Sequence, residues 1–290
     1  MCYFSDDKKR PKPTTPIDIN NIDKYKTLFK RAAKLQIGCG AEPTIYKHLA
    51  ELIQKGKEYG IPYIEITTNG QLLNFDNLQK FIDAGLGGMT LSLHGTSRET
   101  YEYLMGNASF TKLTSLIKDV KRIKTIHPDF VLRINYTFNN LNIKELSNIT
   151  QLFEGVKIDV LQIRPIQNMG DTEYSDFNLK DILLNFETLI TPIELLCKER
   201  NIIYIGPNKE NLLRVDKEQD VYSDTIENLT YCYISSDYCY QEDYDIDKDT
   251  FSSYHKRKRS LQNIFKLLLS RKDKAIKSVE TSKKMNYKIK

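Results

Sequence analysis

Apolar residues recur in two alternating patterns along most of this chain. Short apolar runs predict buried strands over 35–37, 63–68, 89–93, 130–138, 157–165 and 202–205, most of them closed by glycine or asparagine. Between them apolar residues return every three or four positions, which predicts helices over 20–33, 45–59, 75–84, 110–126, 143–153 and 179–200. Thr44 and Ser97 stand where N-caps belong, and Gly60 and Gly85 where helices stop. Neighbouring parallel strands need a crossover of about this length, so the expected fold class is α/β, an open or closed βα barrel of parallel strands.

Barrels of this kind collect functional groups where the strands end and the βα loops begin. In order, the strand ends carry Glu42; Thr67, Thr68 and Asn69; Ser92 and His94; Asn135, Thr137 and Asn139; Arg164 and Gln167. The helix-to-strand turns carry mostly plain solvating residues. That asymmetry predicts a polar pocket for an elongated, polar ligand. The first mouth, Gly38-Cys39-Gly40-Ala41-Glu42-Pro43, is the most distinctive. Its glycines let backbone approach a ligand closely, and Pro43 fixes the turn that follows, so Glu42 is held at the mouth.

Past Gly206 the alternation stops. The chain divides into a barrel-like part over 1–206, an irregular part over 207–255 with Cys232 and Cys239, and a basic part over 256–290. The last of these opens on Lys256 to Arg259 and continues as an amphipathic helix with Leu261, Ile264, Phe265, Leu267, Leu268 and Leu269. Roughly the last fifteen residues are expected to lack fixed structure.

Composition refines this picture. With 40% hydrophobic and 28% charged residues in 290, the chain is neither a disordered polyelectrolyte nor a fibre, and it has no apolar run of bilayer length. From His255 onward there are 13 Lys+Arg against 2 Asp+Glu, a net +11 that leaves −6 for the rest. The basic tail admits contact with nucleic acid or an anionic membrane surface, although no aromatic stacking pattern accompanies its cations. Met1-Cys2-Tyr3-Phe4 leads straight into charge, without a secretory signal, so the expected location is cytoplasmic. Five scattered cysteines argue against a disulfide framework and for thiols or metal ligands.

Together these motifs resemble the radical S-adenosylmethionine (radical SAM) enzymes. Gly40-Ala41-Glu42-Pro43 is similar to the family's Gly-Gly-Glu-Pro motif, whose backbone engages the ammonium of S-adenosylmethionine, with Ala41 for the second glycine. Thr67-Thr68-Asn69-Gly70 resembles the Thr-Asn-Gly strand end. Ser92-Leu93-His94-Gly95 resembles the Ser-(Ile/Leu)-Asp-Gly segment that lines the ribose, with His94 where Asp is usual. The strands ending at Phe138 and Arg164-Pro165 fall where the family's fifth and sixth strands lie. Met1-Cys2-Tyr3-Phe4 looks like the end of the Cys-x3-Cys-x2-Cys loop, which gives three thiolates to a [4Fe–4S] cluster and leaves one iron open for S-adenosylmethionine.

The resemblance therefore implies a partial (β/α)6-type barrel lacking its first strand, plus a small irregular C-terminal appendage. It implies S-adenosylmethionine and a [4Fe–4S] cluster as cofactors, generation of a 5'-deoxyadenosyl radical, a small-molecule or peptide substrate, and an electron donor for the cluster. Gly40, Ala41, Glu42, Pro43, Thr68, Asn69, Ser92, His94, Asn135 and Arg164 are the cofactor-binding candidates, and Cys2 the cluster ligand. Cys232, Cys239 and His255 resemble, weakly, the ligands of an auxiliary cluster. Two of the loop's three cysteines are missing, which is expected of a truncated or wrongly started copy. The alternative is a degenerate paralogue, a cluster-free barrel that binds a small molecule or partner without catalysis. Taken singly, Glu42 could merely cap a helix, Cys39 and Cys197 could be small buried residues, and Thr68-Asn69-Gly70 is a common turn; the ordered set carries the weight.

Overall fold

The computed structural model describes residues 16–38, 41–166, 179–209, 212, 220–234, 239–240 and 243–282. Six strands, β1 (Lys34–Ile37), β2 (Tyr63–Thr68), β3 (Gly88–Leu93), β4 (Val131–Phe138), β5 (Val160–Pro165) and β6 (Ile203–Ile205), form one sheet in that order, every pair parallel. Helices α1 (Lys26–Phe29), α2 (Leu49–Glu58), α3 (Phe75–Asp83), α4 (Arg98–Met105), α5 (Phe110–Ile126), α6 (Ile149–Leu152), α7 (Lys180–Leu184), α8 (Phe186–Leu189) and α9 (Thr191–Glu199) accompany them. After β6 come α10 (Val221–Thr230), β7 (Tyr233–Ile234), β8 (Cys239–Tyr240), α11 (Phe251–Arg257), α12 (Ser260–Leu268) and α13 (Lys272–Ser282).

The strand order explains which face matters. Sequential parallel strands joined by right-handed crossovers place every crossover on the same face, so the other face stays uncovered by them. Side chains divide accordingly. Ile64, Ile66, Leu91, Leu93, Leu132, Ile134, Tyr136, Phe138, Leu161 and Ile163 are buried and share one side by strand alternation. Leu52, Ile53, Leu78, Leu113, Leu116, Val120 and Ile123 from α2, α3 and α5 are buried too and complete this core. The opposite side carries Gln36, Glu65, Thr67, Thr90, Ser92, Arg133, Asn135, Thr137, Gln162 and Arg164, nearly all polar. This is the half-open barrel that the sequence predicts.

Local chemistry moved several boundaries. The helix expected from Thr44 begins only at Leu49, because Glu42 caps a 3-10 turn over Pro43–Ile45 and accepts from the Thr44 amide at 3.2 Å. Thr44 is therefore not a helix cap. The long helix expected over 179–200 is three short ones; Pro192, which has no N–H to donate, sits in the first turn of α9. Ser97 does cap α4, accepting from Thr100. At the other end of the chain α13 stays helical to Ser282, into the roughly fifteen terminal residues expected to lack fixed structure, of which 283–290 lie outside the described residues.

The described residues fall into two compact units, one within 33–214 and the other within 12–32 and 215–286. The first holds the six-stranded sheet. In the second, Leu28 and Tyr254 form a buried pair packed by Tyr25, Ile234, Tyr244, Ile246 and Phe251, so α1 belongs with the C-terminal elements and not with the strand it leads to. A Lys24–Asp247 ion pair, at 3.7 Å, joins the same two segments.

Candidate functional site

The site grows from the turn after β1. Gly38 has φ +97°, and a Cβ there would lie 2.5 Å from the Thr67 carbonyl oxygen and 2.7 Å from the Pro43 ring, so only glycine lets the chain cross the end of β2. The chain then reaches Glu42, whose carboxylate works as a strap. Its Oε1 accepts from the Thr44 hydroxyl at 2.5 Å and the Thr68 hydroxyl at 2.7 Å, and its Oε2 accepts from the Asn69 amide at 2.8 Å. Thr68 Oγ1 in turn accepts from the Gly70 amide at 2.9 Å. Glu42 thus spends its lone pairs within the protein and fixes the backbone before and after it. Ala41 is exposed beside it, Pro43 is buried, and Cys2, Cys39 and Gly40 lie outside the described residues.

A second carboxylate does the same for the next loops. Glu145 accepts from the Thr96 amide at 2.6 Å, the Ser97 amide at 3.1 Å and the Ser97 hydroxyl at 2.8 Å, tying the start of α4 to the chain after β4. Burial by itself would raise the Glu145 carboxyl, but hydrogen bonds from Thr100, Thr96 and Ser97 outweigh it and hold the group below its usual range. Asn142, fully buried, donates from Nδ2 to the carbonyls of His94 and Thr137, each at 2.9 Å, and joins the ends of β3 and β4. The strand mouths are thereby braced by hydrogen bonds within the protein itself.

Inside that frame the uncovered face presents its polar row. Ser92 pairs in register with Asn135, and Asn135 with Gln162. Arg133 donates to Gln162 Oε1, and Arg164 Nε donates to Thr137 Oγ1 at 3.0 Å. Deeper in the same face Glu65 is buried and pairs with Lys34 at 2.7 Å. Among the buried polar atoms of the described residues without a hydrogen-bond partner are Asn135 Oδ1 and His94 Nδ1, with Thr90 Oγ1 and Arg133 Nε on the same face. Burial pushes the His94 imidazole down to about 3, with the positive Arg164 adding to the effect, so the ring is neutral at working pH. An unpaired acceptor on Asn135 and a neutral ring nitrogen suit a ligand bearing hydroxyl or amine donors.

The structure therefore joins Glu42, Thr68 and Asn69 by direct hydrogen bonds and sets Ser92 beside Asn135 in the ladder. Arg133, Asn142, Glu145 and Gln162 were missed in the sequence. The signal that could have found Arg133 and Gln162 is strand alternation, since each lies two residues from a residue already singled out on the same strand face. Glu145 and Asn142 carry no such signal; they act through contacts closed only in three dimensions. Gln167 lies outside the described residues.

The second unit holds Cys232 and Cys239, and Cys197 belongs to the first. His255 is buried, its Nδ1 lies 2.8 Å from Ser260 Oγ, and its ring lies tilted by 57° to that of Phe251 with the centroids 4.1 Å apart. Cys232 is exposed. Among the described residues no group of three or more His, Cys, Asp or Glu side chains is arranged to hold a metal. Cys197 is buried in α9, and burial followed by the charge of Glu194 raises its thiol to about 11, as a core residue and not a reactive one.

A six-stranded parallel half-barrel with a strapped first loop and a polar mouth defines an α/β ligand-binding class in which chemistry sits at the strands' C-terminal ends. The sequence profile of the radical SAM superfamily matches residues 1–153, and the chain belongs to that superfamily. A protein named probable GTP 3',8-cyclase from Sulfolobus acidocaldarius is 27% identical over 168 residues, 57% of this chain and 52% of the relative. One of the same name from Saccharolobus islandicus is 27% identical over 156 residues, 54% of this chain and 49% of the relative. The chain spans about half the length of these curated relatives. Among solved structures, Streptococcus suis SuiB bound to S-adenosylmethionine superposes with a TM-score of 0.51 at 19% identity, over 68% of this chain and 43% of that one. SuiB bound to the precursor peptide SuiA gives 0.53 at 18% identity, over 72% and 46%. These two likenesses are of fold.

The superfamily uses S-adenosylmethionine and a [4Fe–4S] cluster. The residues present suit the first, because Asn135, whose Oδ1 is buried without a hydrogen-bond partner, pairs in register with Ser92, and His94 Nδ1 two residues past Ser92 is buried without one as well. For the second, the sequence contains no Cys-x3-Cys-x2-Cys loop; Cys2 and Cys39 are its only cysteines before β2, and both lie outside the described residues. No helix among the described residues is long and apolar enough to cross a membrane.

Proposed function

We propose that this protein is a radical SAM enzyme that binds S-adenosylmethionine across the C-terminal mouths of β1 to β5. The observation that carries the reading is the pair of buried, unpartnered acceptors on Asn135 and His94, beside a first loop strapped by Glu42. The backbone at Gly40 and Ala41 receives the ammonium, while Ser92, His94 and Asn135 receive the ribose and Arg164 the carboxylate end. Glu42, with Pro43, Thr68 and Asn69, positions that backbone and does not itself touch the ligand. When bound and reduced, the superfamily's cluster would supply the one electron for cleavage of S-adenosylmethionine to methionine and a 5'-deoxyadenosyl radical able to take a hydrogen atom from substrate. Cys2 is the residue of this sequence that would contribute to holding it. The substrate is a polar small molecule or a peptide. The names of the archaeal relatives favour a purine nucleotide within the first class. An electron donor and a reducing, cytoplasmic setting complete the reading, consistent with unpatterned cysteines.

The test is anaerobic incubation of the chain with iron, sulfide, reductant and S-adenosylmethionine, with 5'-deoxyadenosine measured by mass spectrometry alongside S-adenosylmethionine binding by dialysis. Binding that falls about tenfold or more in Asn135→Ala supports the site, on the scale of one lost buried hydrogen bond to a charged or polar ligand. Absence of binding overturns it. The second reading is a cluster-free barrel that binds without catalysis; S-adenosylmethionine binding without iron uptake or 5'-deoxyadenosine would select it.

A further inference from the structure

The outer face of α12 is both apolar and exposed. This helix turns Ser260, Asn263 and Leu267 inward: Ser260 lies against His255, and Asn263 Nδ2 donates to Thr225 Oγ1 at 3.0 Å. Outward it shows Leu261, Phe265 and Leu268, with Leu269 just past its end, at 74, 64, 73 and 88% exposure. Spacings of four, three and one residue put all four on one stripe. A helix that sends a serine and an asparagine to its core and three large apolar side chains to solvent is built for a second apolar phase. Ile276 and Val279 of α13 are exposed in the same way, while Ser278 and Ser282 of that helix are buried.

What that phase is follows from the charges around it. Lys256 and Arg259 precede α12, Lys266 lies on it, and Arg271, Lys272 and Lys274 follow, all exposed. Two like stripes packed together would bring these cations against one another, so a symmetric dimer is opposed by its own flanks. Nucleic acid would match the cations but leave the leucines without a partner, since phosphate and sugar do not wet them. An anionic bilayer surface satisfies both sets at once, with apolar side chains among the upper acyl segments and cations at the headgroups.

We infer that α12 seats this protein on an anionic membrane surface, inserting Leu261, Phe265 and Leu268 and holding the headgroups with the flanking lysines and arginines. Contact is peripheral and reversible, because a short stripe and a handful of cations each supply only part of the affinity. The inference stands apart from the reading of the sheet, and its assay needs no cofactor.

The experiment is co-sedimentation of the 290-residue chain with vesicles of phosphatidylcholine alone or with about one third phosphatidylglycerol. The expected result is binding to the anionic vesicles only, weakened by high salt. The double variant Phe265→Ser/Leu268→Ser, in exposed positions that leave the fold intact by circular dichroism, should lose about tenfold or more. Lys266→Gln should lose about fivefold. No binding of the parent chain, or undiminished binding of the double variant, overturns the inference. So does a concentration-dependent dimer that the double variant dissolves while vesicles go unbound. Single-stranded RNA binding that displaces vesicles and survives in the double variant also overturns it.

Discussion

At the scale of single residues, the site is held by carboxylates that face inward. Glu42 accepts four hydrogen bonds from Thr44, Thr68 and Asn69, so Glu42→Ala strands several partly buried donors. It should cost about 2–3 kcal/mol in urea unfolding and weaken S-adenosylmethionine binding as well. Glu42→Gln should fall between, since one amide oxygen can still accept. His94 gives a pH signature. Its folded-state value near 3 lies below the ordinary 6.5, so the unfolded chain binds the extra proton and stability falls as pH drops below about 6.5. The slope from this residue is at most about 1.4 kcal/mol per pH unit between 6.5 and 5, and it ceases once pH passes below the folded value. His255, also lowered by burial and by Arg31, adds in the same direction. His94→Asn should therefore flatten, without abolishing, the loss of unfolding free energy between pH 7.5 and 5. An unchanged slope would mean that His94 is solvated.

At the scale of elements, the loops after β1 and β3 are set by geometry that tolerates little change. Gly38→Ala forces a Cβ into the Thr67 carbonyl at a positive φ, and should destabilise by upwards of about 1 kcal/mol while displacing the turn that carries Ala41 and Glu42. Calorimetry checks the first effect and ligand dialysis the second. The sequence located these elements well because strand and helix periods are local properties: β2 and α5 fall on the residues their patterns mark. It placed Glu42 at the mouth but could not say which way the carboxylate faces. That direction depends on Thr68 and Asn69, which lie 26 and 27 residues away. For the same reason the helix expected from Thr44 gave way to a turn: a side chain from the preceding residue outbid helix propensity.

At the scale of the whole molecule, the chain is assembled discontinuously. Residues 12–32 precede β1 yet belong with the C-terminal unit through Leu28 and Tyr254. Tyr254→Ala should cost about 3–5 kcal/mol, the usual price of deleting a buried aromatic ring. Hydrogen exchange should show protection lost over 24–32 and 220–282 and retained in β2 to β5. Loss of protection across the sheet as well would make the two units one cooperative body.

By itself the sequence determined the parallel α/β sheet, the order of its polar mouths and the superfamily, since strand period, glycine turns and motif order are all written along the chain. The tertiary structure decided that Glu42 and Glu145 strap loops through hydrogen bonds, that Asn135 Oδ1 and His94 Nδ1 are left without hydrogen-bond partners, and that the outer stripe of α12 is exposed. Those outcomes depend on which distant groups satisfy each polar atom and which faces neighbours cover, and a linear pattern does not contain either.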